Sequence, residues 1–194
     1  MKSKFNVSAG AILMLSALYF FGGMKSVCAV ILAASVHELG HIIAIKMFGG
    51  KIRSLRFDAS GLCMSYCGLD SAVKELVSLV TGPLFGLALA YAASYYGNTL
   101  SNNLLRETAG ISMMFSVFNL LPALPLDGGR ALFCMINGRH RAENVLDKSG
   151  MITGLLLVFS GLYFLGNEKG AALLISGCLV LIAQTGIVKN FRML

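Results

Sequence analysis

The sequence His37-Glu38-Leu39-Gly40-His41 contains the residue types and spacing of a metal-dependent hydrolytic site. Positions i and i+4 share one face of an α-helix, so His37 and His41 can bind the same metal ion. Glu38 lies beside the first ligand, where its carboxylate can move a proton to or from a water that the metal activates. The motif therefore predicts a zinc site on a helix.

The surroundings of this motif are unusual for charged and polar residues. Residues 26–45 are apolar throughout except for the motif. A carboxylate within such a run is costly unless it has a partner or a water-filled cavity, so intramembrane ionisable residues indicate function. Short motifs recur by chance, but the apolar context makes this one more specific.

Two histidines do not complete a catalytic zinc site, which usually has three protein ligands and one position for water. The third histidine, His140, lies in a basic stretch, where a solvated surface position is expected. Asp127 is the best candidate among the nine acidic residues, because it lies in a broken segment and precedes two glycines that allow close backbone approach. The alternative is that Asp127 caps the short helix after it.

These residues predict a hydrolytic mechanism. Zinc held by His37, His41 and Asp127 would lower the pKa of a water to about 7, and Glu38 would take its proton and later pass it to the leaving amine. Asn119, a polar residue late in an apolar run, could donate a hydrogen bond to the oxyanion or to the substrate backbone. An interhelical hydrogen bond is an equally good interpretation of Asn119.

The composition identifies the chain as an integral membrane protein. Of its 194 residues, 56% are hydrophobic and 13% charged, with a mean hydropathy of +0.75; soluble domains carry about 25% charged residues. At roughly 20 residues per span, we expect an all-α polytopic membrane protein with about six transmembrane helices. The net charge of +7 is typical of cytoplasmic loops rather than of nucleic-acid binding, and no nucleic-acid motif is present.

The pattern of apolar runs gives the order of the predicted elements. We expect the first run to be a retained helix, because no signal-peptide cleavage site of the usual kind follows it. A short helix is expected over residues 128–137, followed by a basic loop over 138–149. The predicted spans are residues 5–23, 26–48, 69–96, 108–121, 150–166 and 170–188.

Residues 51–68 differ from the spans, because apolar and polar side chains alternate there. Asp58-Ala59-Ser60-Gly61 is a favourable turn sequence. We expect a short membrane-associated β-hairpin after the second span, although an amphipathic loop would also fit. We interpret the five cysteines as structural, since the Cys63 and Cys67 pair lacks the second ligand pair of a zinc knuckle.

The distribution of basic residues predicts the orientation. With six spans, all but three of the 16 Lys and Arg residues fall on the side that holds both termini; the exceptions are Lys25, Arg106 and Lys169. Both termini are therefore expected in the cytoplasm. In this orientation the motif helix and Asp127 both lie toward the cytoplasmic half of the membrane, so they can meet.

Three segments together carry a resemblance to a known family. The His37–His41 motif, Thr81-Gly82-Pro83, and the sequence Asn-Leu-Leu-Pro-Ala-Leu-Pro-Leu-Asp-Gly-Gly over residues 119–129 resemble the site-2 protease family of intramembrane zinc metalloproteases. The layout is most similar to the bacterial branch that activates a membrane-tethered sigma-factor precursor during sporulation. The resemblance implies zinc ligands at His37, His41 and Asp127, a general base at Glu38 and a substrate-handling role for Asn119.

The resemblance also implies the organisation and the partners of the chain. We expect one membrane-embedded metalloprotease domain over residues 1–194, with a catalytic core at about 26–130. Its substrates would be membrane-tethered proteins cleaved within or near a transmembrane segment, in the lipid bilayer, as in regulated intramembrane proteolysis. The hairpin could pair with an extended substrate strand. A regulatory membrane partner and the oligomeric state are left open. Some relatives carry a nucleotide-sensing domain or a PDZ domain; we expect neither in this chain, and therefore no regulation by ATP through such a domain.

Two other classes of function compete with the zinc metalloendopeptidase. A non-catalytic membrane scaffold or chaperone that retains the protease fold would bind partners whether or not Glu38 is replaced by Gln. A small transporter would use the buried polar residues as an ion path and would work without zinc. The complete set of His37, Glu38, His41 and Asp127 argues against the scaffold. The transporter explains the buried charge but not the metal-ligand spacing.

Overall fold

The computed structural model describes residues 4–7, 9–58, 61–136, 139–164 and 168–191. It is mostly helical, with a small sheet, which confirms the predicted fold class. The chain divides into two compact units, Met1–Val117 and Phe118–Leu194, and each is described by itself. The single domain with its catalytic core at about 26–130 stays a prediction.

The elements are β1 (Lys4–Val7), α1 (Ala9–Met47), β2 (Lys51–Asp58), β3 (Gly61–Cys67), α2 (Ala72–Thr99), α3 (Asn103–Asn119), α4 (Asp127–Met135), α5 (Arg139–Tyr163) and α6 (Glu168–Phe191).

Helix α1 contains both of the first two predicted spans. Gly23 separates them with non-helical angles, φ 72° and ψ −176°, which glycine adopts without a Cβ clash. β1 precedes α1 and pairs in parallel with β2, which follows it. A straight helix of this length would measure about 58 Å, so its two ends could not reach one sheet. The chain therefore turns back at Gly23.

The predicted hairpin is confirmed as β2 and β3. They pair antiparallel from Lys51 opposite Cys67 to Asp58 opposite Gly61, with an irregularity between Ile52 and Ser54; the predicted turn residues 59 and 60 lie outside the described residues. The third strand, β1, was not predicted. We expected a helix from residue 5, but the helix starts at residue 9, because the short polar–apolar alternation of residues 4–7 pairs with β2 instead.

Helices α2 and α3 complete the first unit and begin at polar caps. The Ser71 hydroxyl accepts a hydrogen bond from the backbone N–H of Val73 at 3.3 Å and so caps α2. α3 begins at residue 103 rather than at the predicted 108, because the side chain of Asn102 accepts hydrogen bonds from the backbone N–H groups of Leu104 and Leu105. Residues 103–107, three of which are polar, are therefore part of the helix.

Small residues bring α2 and α3 into close contact. The Ser112 hydroxyl donates to the carbonyl of Gly86 at 2.8 Å. A Cβ at Gly86 would lie 2.1 Å from the Ser116 hydroxyl oxygen, so only glycine fits at this crossing. Such close approach of small residues is typical of helix packing in membranes.

The second unit contains α4, α5 and α6. The short helix α4 confirms the one predicted over residues 128–137. The prediction of a basic loop over residues 138–149 is wrong, because residues 139–149 form the first turns of α5. Ala142 and Leu146, both 1% exposed, lie one helical turn apart and pack inward, while Arg141 and Lys148 are exposed. The buried Gln184 of α6 donates to the carbonyl of Leu146 at 2.8 Å.

The described helices have the lengths and surfaces of membrane spans. Three of them are long and apolar enough to cross a membrane: Leu15–Met47, Ala72–Thr99 and His140–Tyr163. Large apolar side chains such as Phe21 and Tyr163 are 86% and 84% exposed, which is expected of a surface that faces lipid. The chain is therefore a multi-pass membrane protein, and the number of six spans stays a prediction.

Candidate metal centre

His37 and His41 face each other on α1 in a buried position. Their side chains are 1% and 7% exposed, and their Nε2 atoms are 3.2 Å apart. Two nitrogen ligands 2.0–2.1 Å from one tetrahedral zinc ion would lie about 3.3 Å apart. The two imidazoles therefore fit a shared zinc ion.

A hydrogen bond fixes the orientation of His41. Its Nδ1 lies 2.7 Å from the carbonyl oxygen of Ser78 on α2. A carbonyl only accepts hydrogen bonds, so Nδ1 carries the proton, and Nε2 of the neutral ring presents its lone pair toward His37. Metal-binding histidines are commonly oriented by such a second hydrogen bond. Sequence reasoning missed Ser78, because a backbone carbonyl can come from any residue.

Gly82 makes room for the imidazole of His41. A Cβ built at Gly82 would lie 2.2 Å from Nε2 of His41, closer than any side chain could be tolerated. On the other side of the same crossing, a Cβ at Gly40 would lie 2.7 Å from the carbonyl oxygen of Thr81. The Thr81-Gly82-Pro83 sequence thus lets α2 approach the metal-binding face of α1.

An aromatic side chain from α3 packs against His37. The rings of Phe115 and His37 meet edge to face, with centroids 4.9 Å apart and an interplanar angle of 81°. Sequence reasoning did not single out Phe115, because a phenylalanine in an apolar helix carries no distinctive signal. Through this contact, α3 packs beside the histidines of α1.

The three other predicted residues lie at different places in the fold. Glu38 follows His37 on α1, Asn119 is the last residue of α3, and Asp127 is the first residue of α4; all three are half-buried. The N-cap of α4 is Leu126, which makes no side-chain cap. The alternative interpretation of Asp127 as the helix N-cap is therefore wrong.

His37, His41 and Asp127 form a group that could hold a metal ion. Each offers one ligand atom, and these atoms lie within 4.8 Å of one another. Two imidazoles and one carboxylate are a common donor set for catalytic zinc, which leaves a fourth position for water or substrate. The donor chemistry and the spacing fit the predicted zinc cofactor.

Comparison with known proteins also indicates similarity to metalloproteases. Residues 71–160 match the profile of Peptidase family M50. This part of the chain is therefore similar to Peptidase family M50. The matched residues include the Thr81-Gly82-Pro83 sequence, Asn119 and Asp127, whereas the His37–His41 motif lies before them.

Individual similar proteins are named for zinc or for sporulation. A zinc metalloprotease of Methanocaldococcus jannaschii is 29% identical over 138 residues, which cover 66% of this chain and 40% of that protein. Stage IV sporulation protein FB of Bacillus subtilis is 26% identical over 143 residues, which cover 70% of this chain and 50% of that protein. The chain thus spans about half the length, or less, of these curated relatives.

A solved structure has the same fold. The site-2 protease from Methanocaldococcus jannaschii aligns with a TM-score of 0.72 over 95% of this chain and 92% of that one, at 20% sequence identity. The fold of a site-2 protease is therefore shared over nearly the whole chain.

Proposed function

We propose that this chain is an intramembrane zinc metalloprotease that hydrolyses peptide bonds of membrane-tethered proteins. The observation that carries the proposal is the group of His37, His41 and Asp127, whose ligand atoms lie within 4.8 Å of one another. The family match and the relatives named zinc metalloproteases support the same activity.

Each residue of the site has a chemical role in this proposal. His37 and His41 hold the ion through Nε2, with Asp127 as the third ligand. When bound, zinc supplies a Lewis acid that polarises a peptide carbonyl and activates a water. Glu38, next to His37, accepts the proton of the attacking water and delivers it to the amide nitrogen that leaves.

Asn119 completes the site as the substrate-handling residue. It lies at the end of α3, where an amide N–H can donate to the backbone of an extended substrate or to the developing oxyanion. Its half-buried position supports a role inside the site rather than on the outer surface. Replacing it should impair cleavage while zinc stays bound.

The class of substrate follows from the position of the site. The histidines lie on α1, an apolar helix within the candidate span Leu15–Met47. A peptide bond must therefore reach them from within or near the membrane, which favours proteins with a transmembrane segment as substrates. We place both termini and the opening of the site on the cytoplasmic side, as the distribution of basic residues predicts.

The test compares membranes from cells that express the chain with membranes from cells that express Glu38→Gln. New N-termini of all membrane proteins are quantified by mass spectrometry. We expect a set of termini within or beside transmembrane segments that is present with the wild type and lost with the variant. An identical set of termini in the two membranes, at equal expression, would reject the protease and favour the scaffold.

A further inference from the structure

A cavity of about 890 Å³ lies where α1 meets the sheet. This volume is within the range of ligand-binding sites, roughly 300–1,000 Å³. Its charged lining is entirely basic: Lys46, Lys51 and Arg53 contribute to the wall, and no acidic residue is among the described lining residues. The rest of the wall is mainly apolar, with Ile42, Ile52 and Leu55.

The cavity lies at one end of a candidate membrane span. The span ends at Met47, and Lys46 belongs to its last turn. The β-strand that provides Lys51 and Arg53 follows directly. The three cations therefore stand at the level where an apolar span meets a polar sheet, which is the level of lipid headgroups.

One face of α1 leads from the apolar part of the span to these cations. Leu39, Ile42 and Lys46 are spaced three and four residues apart, so their side chains lie in one row. Leu39 is 46% exposed and Ile42 lines the cavity. This row is separate from the buried histidine pair, since His37 and His41 face α2 and α3.

We propose that this cavity binds an anionic phospholipid. The headgroup phosphate lies among Lys46, Lys51 and Arg53, and an acyl chain runs along Ile42 and Leu39. Three cations, with no acidic residue among the described lining residues, favour a lipid with net negative charge over one whose headgroup also carries a cation. The apolar row of Ile42 and Leu39 beside the cations favours a lipid over a free anion, because a free anion has no chain to cover these side chains.

The test measures lipid preference by native mass spectrometry. Protein in detergent is mixed with equal amounts of phosphatidylglycerol and phosphatidylcholine that carry the same acyl chains. The pocket variant combines Lys46→Gln, Lys51→Gln and Arg53→Gln. The matched control loses the same three charges elsewhere, through Lys74→Gln, Arg141→Gln and Lys148→Gln.

We expect the wild type and the control to bind phosphatidylglycerol preferentially. Each cation removed from the cavity should weaken that preference about fivefold, and all three together about a hundredfold. Lys51→Gln alone, at an exposed position of β2, should show the fivefold loss and serves if the triple variant is not monodisperse.

Four results would overturn the proposal. The first is a wild type without lipid preference. The second is an equal loss in the two triple variants, which would reflect total charge rather than the cavity. The third is displacement of the lipid by inorganic phosphate at the same concentration, which would indicate a simple anion site. The fourth is displacement by an acidic peptide, which would indicate a protein partner.

Discussion

Gly82 packs directly against the imidazole of His41. A Cβ added at Gly82 would lie 2.2 Å from Nε2 of His41, in space that the ring already occupies. Gly82→Ala should therefore displace the His41 imidazole from its metal-binding position and weaken zinc binding. Changes to groups that orient a metal ligand typically cost 10–100-fold in affinity, and we expect a loss of about that size. Competition with a chelator of known affinity measures it.

Gly110→Ala is the matched control for this substitution. Gly110 is also a helical glycine, and a Cβ there would meet nothing within 4 Å. The control should bind zinc like the wild type. Unchanged affinity in Gly82→Ala would show that His41 does not bind the metal in the position described.

Glu38→Gln should separate metal binding from catalysis. The amide is similar in size to the carboxylate but cannot accept a proton, so cleavage should fall by about 10²–10⁴-fold, the usual contribution of a general base. Zinc content should stay at the wild-type level, because Glu38 is not one of the three ligands. The measurement is the cleavage rate of a substrate found in the comparison of N-termini, together with bound zinc. Cleavage at the normal rate would refute the assigned role.

The close packing of α2 and α3 predicts a rescue experiment. Gly86→Ala places a Cβ 2.1 Å from the Ser116 hydroxyl oxygen, so overpacking should cost about 1–3 kcal/mol and lower the unfolding temperature in detergent. Adding Ser116→Ala removes that oxygen and leaves the Ser116 Cβ at 3.5 Å, an ordinary contact. The double variant should therefore recover most of the loss. A double variant less stable than Gly86→Ala would mean that another contact sets the helix spacing.

The distribution of basic residues predicts the position of both termini. A reporter that is active only in the cytoplasm should be active when fused to either end of the chain, and a reporter active only outside should not be. The same reporters inserted near Arg106, on the predicted outer side, should give the opposite result. Opposite reports from the two ends would mean an odd number of spans.

Sequence reasoning found the parts of the site that depend on local spacing. The i and i+4 positions of His37 and His41 place them on one face of any helix, and the structure has them there. Asp127 was predicted by weighing the acidic residues, helped by the glycines after it, and its ligand atom lies within 4.8 Å of those of the histidines. The hairpin followed from alternation and a turn sequence, both of which are local.

The features that sequence reasoning missed depend on contacts distant in the chain. The carbonyl of Ser78 orients His41 but is chemically the same as any other backbone carbonyl. β1 forms because it pairs with the edge of β2. The four residues of β1 contain no local signal that identifies this distant partner. The start of α5 was mistaken for a loop, because its polar composition hid the buried Ala142 and Leu146 one turn apart.

The most direct test of the zinc site is the metal content of the purified protein, measured for the wild type, Asp127→Ala and the control Asp70→Ala. Asp70 is an exposed acidic residue outside the site. We predict about one zinc ion per chain in the wild type and the control, and most of it lost in Asp127→Ala. A wild type that stays empty after zinc is added back would contradict the metalloprotease. Full zinc content in Asp127→Ala would contradict the three-ligand site.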